Sequence, residues 1–390
     1  MPRDNTRTFA VMAEVVGGHC NLRCAYCYYT DKPTVLHQEH GGMTEEVLEA
    51  YIRQNLLVNG SRAVVEFAWH GGEPTLAGID FFRKALALEK RYGKNRRIVN
   101  TLQTNATLLD DEWGAFFARH RFLLGVSVDG PKVWHDTYRT GPEGGSFEKT
   151  MRGIEILRRH GVPFNTLTTV NAANASAPRE VYDFLREQTD HMQFLPVVEA
   201  LGTVFEVEEG QSFATPPGVH SAFLPHPVTA FSVTPEGYGE FLCEIFDRWK
   251  ERDFGKKQVQ LFEVTAGHLL GKPSALCVHD ALCGHAPTVE ANGDVYACDR
   301  YAFPSYRLGN LLETPLEELL EQNRRFGMHK AYGLPKECFA CPYLKLCFGG
   351  CPKDRITFSA DGERGKNYLC AGYKRFFRHF LDHMDILLPR

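Results

Sequence analysis

Apolar runs with strand character alternate with helix-period segments through the first half of the chain. Phe9–Val16 is β-branched and mostly apolar, and predicts a first strand. Thr44–Val58 predicts a helix, with Thr44 as its cap and Glu45 and Glu46 in the first turn, where the helix dipole favours acids. Ala63–Trp69, Ile98–Thr104, Phe122–Val128, Phe164–Val170 and Met192–Val198 predict five more strands. Phe81–Tyr92, Asp110–Arg119, Ser146–His160 and Pro178–Glu187 predict the helices between them. About six βα units imply α/β architecture with a parallel sheet under packed helices. Near-continuous apolar strands fit burial on both faces. Periodicity leaves open an open doubly wound sheet and a full or partial barrel.

Beyond residue 200 the pattern changes. Residues 201–234 carry Gly, Pro and Ser without helical period, and predict a long loop or insertion. Tyr238–Lys250 predicts an amphipathic helix with Phe241, Ile245 and Trp249 on one stripe. Residues 1–234 are therefore expected to form the β/α domain. Residues 235–390 are expected to form a connecting helix and a second domain.

The chain has 390 residues and a net charge of −4, so there is no basic field for nucleic acid or an anionic membrane. No apolar run of about 18 residues predicts a membrane helix. The N-terminal residues show no secretory signal, and a cytoplasmic protein is expected. Twelve cysteines in such a chain point to metal ligation and away from disulfides. Among the 16 histidines no H-x3-H pair sits on a convincing helix, so none is assigned to a metal.

Cys20, Cys24 and Cys27 form C-x3-C-x2-C on the loop after the first strand. Three thiolates can hold three irons of a cubane and leave the fourth open, whereas zinc would recruit a further ligand such as His19. Polar turns end the next three predicted strands, at Trp69-His70-Gly71-Gly72-Glu73-Pro74, Gln103-Thr104-Asn105 and Ser127-Val128-Asp129-Gly130. Polar residues at successive strand ends describe one active-site mouth. Eight further cysteines fall between 277 and 370, at 277, 283, 298, 338, 341, 347, 351 and 370. Eight thiolates make two sets of four; a pair of zinc ribbons is the other reading of that count. Cys243 sits in the amphipathic helix and is expected to be packing.

The C-x3-C-x2-C loop with Tyr26 before its last cysteine, and the Gly71-Gly72-Glu73-Pro74 turn, resemble the radical SAM superfamily. The later cysteines resemble the SPASM extension of its peptide- and protein-modifying members. Cys27-Tyr28-Tyr29, Trp69–Leu76, Ser127–Pro131, Gly145–Phe147, Met192–Pro196, Val295–Tyr301 and Leu308–Asn310 are similar to the anaerobic sulfatase-maturating enzymes. His70 departs from the glutamine that many members carry there.

The resemblance implies a partial (β/α)6 TIM-like barrel with a C-terminal SPASM-type iron–sulfur domain. It implies three 4Fe-4S clusters: one on Cys20, Cys24 and Cys27 that binds S-adenosylmethionine (SAM), and two auxiliary ones. The auxiliary ligands would be Cys277, Cys283, Cys298 and Cys351, then Cys338, Cys341, Cys347 and Cys370. SAM contacts would come from Tyr26, Gly71, Gly72, Glu73, Ser127, Arg139 and Val198. Tyr29 and His70 would touch the peptide. Asp299 would be the general base. The implied reaction oxidises a cysteine or serine on an unfolded sulfatase to Cα-formylglycine, with flavodoxin or ferredoxin as electron donor. A SPASM maturase that forms a thioether crosslink is the alternative.

Overall fold

The computed structural model describes residues 10–38, 41–60, 62, 64–201 and 227–383. Most of the 201–234 segment, the N-terminus through Phe9, and Ala63 lie outside the described residues. Six strands run parallel and pair in chain order: β1 (Met12–Glu14), β2 (Val64–His70), β3 (Arg97–Thr104), β4 (Leu123–Ser127), β5 (Phe164–Val170) and β6 (His191–Pro196). Each is followed by a helix: α1 (Glu45–Val58), α2 (Ile79–Gly93), α3 (Asp111–His120), α4 (Phe147–Arg159), α5 (Pro178–Gln188) and α6 (Pro235–Arg252). This is the expected partial (β/α)6 barrel.

Local chemistry sets the helix starts. Thr44 Oγ1 accepts from Val47 N at 3.3 Å, and Asp110 Oδ1 accepts from Trp113 N at 3.0 Å. Both satisfy amides that a helix leaves unpaired in its first turn. A helical segment over Lys132–Tyr138, absent from the sequence reading, follows the Ser127–Gly130 turn.

The barrel does not close on itself. β6 pairs in parallel with β7 (Gln258–Val259), and β1 pairs in parallel with β8 (Thr288–Glu290). Antiparallel β9 (Asp294–Tyr296) and β10 (Arg307–Asn310) continue from β8, giving one ten-stranded sheet. Two apolar clusters flank this frame. The first joins β1–β4 to α1, α2 and α3, and takes in Val289, Leu316 and Leu319 from the second half of the chain. The second joins α5 and α6 to α7 (Gln260–Leu269) and the C-terminal helix α9 (Cys370–Asp382), α8 being Leu316–Tyr332. Cys243 is buried in this second cluster, as expected for packing.

Helices α6 and α9 cross on two glycines. A Cβ on Gly239 would lie 2.7 Å from Gly372 Cα, and one on Gly372 would lie 2.2 Å from Pro235 O. Gly372→Val is therefore expected to separate the helices, to cost about 1–3 kcal/mol, and to lower Tm by several degrees in a thermal melt of the cluster-loaded protein.

A buried polar chain runs through the first cluster. Trp69 Nε1 donates to Asn100 Oδ1 at 2.7 Å, and Asn100 Nδ2 donates to Glu89 Oε2 at 3.0 Å. Glu89 Oε1 has no partner, and burial pushes this carboxyl from 4.5 up to about 7. A raised carboxyl favours the folded state while it is protonated. That contribution is lost as pH rises from about 4.5 through about 7. Glu89→Gln should abolish this loss, so that the variant melts above the parent at pH 8 and level with it or below at pH 4.5.

Candidate active site

The C-terminal ends of β1–β6 surround a cavity of about 200 Å³. The loop after β1 brings Cys20, Cys24 and Cys27 to its wall, together with Tyr26, Tyr28 and Tyr29. β2 contributes His70, Gly71 and Gly72; β3 contributes Gln103, Thr104 and Asn105; β4 contributes Ser127. Arg139 and Thr169 line the far side, and Asp299 with Arg300 enters from the second half of the chain.

The glycine turn is fixed by backbone contacts. Gly72 N donates to Gly17 O at 2.8 Å, and Glu73 N donates to His19 O at 2.9 Å. A Cβ on Gly72 would lie 2.1 Å from His19 O, and Gly71 holds φ +124°. Only glycine fits both positions, so the turn lies directly on the cysteine loop.

Glu73 does not face the cavity. Its carboxylate accepts from Thr75 N (3.1 Å), Thr75 Oγ1 (2.6 Å), Thr104 Oγ1 (2.8 Å) and Asn105 N (2.8 Å). Burial raises its pKa and these hydrogen bonds oppose the rise. The side chain braces the ends of β2 and β3. Val198 also departs from its expected place: it packs in the second core cluster, and Val197 lines the cavity instead. Alternate residues of an extended segment face opposite sides.

Asp129, quoted in the sequence only as part of a turn, is fully buried and organises the cation side. It accepts from the Tyr26 hydroxyl and from Thr169 N at 2.9 Å. Arg139 Nε lies 3.0 Å from Asp129 Oδ2, but its N–H is not aligned on that oxygen. Burial works against the Arg139 charge; Asp129 outweighs it and holds the guanidinium above its ordinary pKa. A buried cation with an unaligned N–H at the cavity wall suits an anionic or hydroxylated ligand.

On the opposite side Tyr28 donates its hydroxyl to Asp299 Oδ2 at 2.5 Å. Arg300 is taken by Asp354 at 3.2 Å, so it does not neutralise its neighbour Asp299. His70 is held below its ordinary pKa by burial, against the pull of the Asp299 charge. The hydroxyl of Tyr29 donates to Glu290 Oε1 at 3.1 Å, which spends its polar end on the β8 strand.

Eleven of the twelve cysteines fall into three sets, Cys243 being the exception, and none of the twelve is in a disulfide. Burial pushes Cys20 to about 11 and Cys24 to about 12, with the three cavity thiols influencing one another. Cys277, Cys283, Cys298 and Cys351 form a second mutually interacting set; burial pushes Cys277 to about 11 and Cys283 to about 12. The buried Lys330 ammonium lies beside it, donating to Val278 O at 3.0 Å. Cys338, Cys341, Cys347 and Cys370 line one separate small cavity.

Spacing tests what these sets fit. Four thiolates on one zinc at about 2.3 Å have sulfurs about 3.8 Å apart. No three cysteine sulfurs lie within 4.8 Å of one another. The sets are too open for a single ion and suit a polynuclear cluster, with Lys330 offsetting its negative charge.

One histidine reading is corrected. His379 and His383 are one turn apart at the end of α9, with one nitrogen of each near an Asp247 oxygen. The sequence reading missed Glu14 and Glu199, and it quoted Tyr28, Asn105 and Asp129 only within motifs, with no role of their own. Glu14 offered a signal, as the one acid within a buried apolar strand.

Three open-iron cysteines, a glycine turn and a partial barrel define a radical SAM enzyme. Residues 15–185 match the model of the radical SAM superfamily, and residues 283–342 match an iron–sulfur cluster-binding domain. The chain is 41% identical over 384 residues to the serine-type anaerobic sulfatase-maturating enzyme of Bacteroides thetaiotaomicron, covering 97% of this chain and 90% of that one. It is 34% identical to the cysteine-type enzyme of Clostridium perfringens, covering 92% and 93%. The solved structure of native anSMEcpe with bound AdoMet and Cp18Cys peptide matches 97% of this chain and 98% of its own, with TM-score 0.81 and 31% identity. The chain belongs to the anaerobic sulfatase-maturating family of radical SAM enzymes, and it uses S-adenosylmethionine and 4Fe-4S clusters. Likeness to Streptococcus suis SuiB, at 16% identity and TM-score 0.61, extends to the fold alone. Among the described residues no helix is long and apolar enough to cross a membrane.

Asp129→Asn should leave the buried Arg139 charge without its counter-charge. A loss of about 3–5 kcal/mol is expected, read as a lower denaturant midpoint.

Proposed function

We propose that this enzyme converts a cysteine or serine of an unfolded sulfatase chain to Cα-formylglycine. The reading rests on Asp299, which shares one cavity with the cysteine triplet and the glycine turn. Cys20, Cys24 and Cys27 would hold the SAM-binding cluster. Cys277, Cys283, Cys298 and Cys351, and Cys338, Cys341, Cys347 and Cys370, would hold the two auxiliary clusters. When bound, these groups supply one-electron cleavage of SAM to a 5′-deoxyadenosyl radical and a sink for the electron released by the substrate.

The protein's own residues do the rest. Arg139 and Ser127 bind the polar parts of SAM, Tyr26 and Val197 flank them, and the glycine turn lets its backbone approach. Asp299 receives the proton of the substrate S–H or O–H; a serine then ends as the aldehyde, and a cysteine as a thioaldehyde that water hydrolyses with release of hydrogen sulfide. Tyr28 occupies Oδ2, which orients Oδ1 toward the substrate and keeps the carboxylate in one rotamer. Arg300 is committed to Asp354, so it leaves Asp299 open toward the substrate. His70, kept neutral by burial, offers the peptide a hydrogen bond without adding charge beside the base. Flavodoxin or ferredoxin would supply electrons. Twelve cysteines without a disulfide among them fit a reducing cytoplasm.

Asp299→Asn should retain about twelve irons per chain and still form 5′-deoxyadenosine. Formylglycine on cysteine and serine sulfatase peptides should fall by about 10²–10⁴-fold, measured by mass spectrometry after anaerobic turnover. Full formylglycine yield would remove Asp299 from the mechanism. Cys24→Ala and Cys347→Ala should each lose about four irons, and Cys24→Ala should also lose SAM cleavage.

A further inference from the structure

We propose that Asp247, His379 and His383 form a site for a divalent transition metal of the zinc class, which ties helix α6 to the C-terminal helix α9. One nitrogen of each imidazole and one Asp247 oxygen lie within 4.8 Å of one another, a grouping met nowhere else among the described residues. His379 Nε2 is 2.7 Å from Asp247 Oδ1. The His383 ring is 4.4 Å from the His379 ring, and its Nδ1 is 2.8 Å from the His379 carbonyl oxygen. Donation from Nδ1–H to that carbonyl fixes the neutral tautomer and leaves the lone pair on Nε2.

The donor set suits the ion. Two imidazoles at i and i+4 with a carboxylate from a facing helix are ligands that zinc accepts, with water in the fourth position. Donor atoms on a tetrahedral ion with ligands at about 2.0–2.1 Å are about 3.3 Å apart. The His379–Asp247 pair therefore has to open by about 0.6 Å, which half-exposed side chains can do. A cavity lined by Asp247, His379 and Asp382 opens beside the group and has room for the water; Lys374, Arg375 and Arg378 line it too, with Lys374 paired to Glu337 and Arg375 to Glu240. The position at the C-terminal end of α9 adds the negative end of the helix dipole, which favours a cation. The ligands are at the opposite end of α9 from Cys370, so this site is separate from the cysteine sets.

The test uses the full chain with its iron–sulfur clusters reconstituted, dialysed anaerobically against buffered zinc. Metal analysis should find about one zinc per chain beyond unchanged iron. X-ray absorption at the zinc edge should show nitrogen and oxygen ligands only. His383→Gln and Asp247→Asn should each weaken zinc binding at least tenfold while iron and SAM cleavage stay at parental levels. Zinc should raise Tm in the parent and leave both variants unchanged. Sulfur in the zinc shell, equal zinc uptake by parent and variants, or no uptake at tens of micromolar free zinc would each overturn the proposal and leave the group a plain His–Asp ion pair.

Discussion

The parallel pairing of β1 with β8 is the constraint on which the site depends. Met12 stands opposite Thr288 and Glu14 opposite Glu290. β1 itself is only three residues long, yet it is flanked by β2 on one side and β8 on the other. From Glu290 the chain needs one antiparallel turn, through β9, to bring Cys298 and Asp299 back to the mouth. A slip of one residue in this register would turn every side chain of β8 to the other face and carry Asp299 away from Tyr28. The barrel and the cysteine-rich half are thus joined by backbone hydrogen bonds, and Asp299 is positioned by sheet geometry.

Burial of charge is the second organising theme. Asp129 with Arg139, and Glu199 with Lys353, are pairs in which both side chains are almost wholly removed from water. Lys32 is buried too: it donates to Ala302 O at 2.7 Å, sits over the Phe303 ring, and burial holds it down at about 7. Such groups are costly unless paired. Here they surround the cavity, where they hold cysteine loops, strand ends and the Asp299 segment in one arrangement.

Much of this was readable in the sequence. The barrel strands were readable as β-branched and apolar segments between turns, although burial alternates along Arg97–Thr104, Phe164–Val170 and His191–Pro196 and does not cover both faces as expected. Phe164–Val170 coincides with the observed strand. The helix cap at Thr44 was readable because capping is local chemistry, whereas Asp110, read as the first residue of its helix, is the cap. The cysteine sets were readable as counts and spacings. What escaped was set by distant partners. Strands of three or four residues, such as β8 and β10, carry no period and exist because β1 and β9 offer them edges. Glu73 looked like a ligand because it follows two glycines, and only the folded contacts with Thr75, Thr104 and Asn105 show it as a brace. Val198 and Val197 differ by one step of an extended chain, which composition cannot resolve. The His379–His383 pair was hidden because its carboxylate partner lies 132 residues away.

The glycine crossing of α6 and α9 has a practical consequence. Cys370 begins the helix whose second residue after it, Gly372, touches the Pro235–Gly239 turn of α6. A shift of that crossing by a single methyl group would move a sulfur, and a sulfur bound to iron changes colour with its surroundings. A cluster held on Cys370 would in this way report, through its visible absorption, how tightly two helices pack.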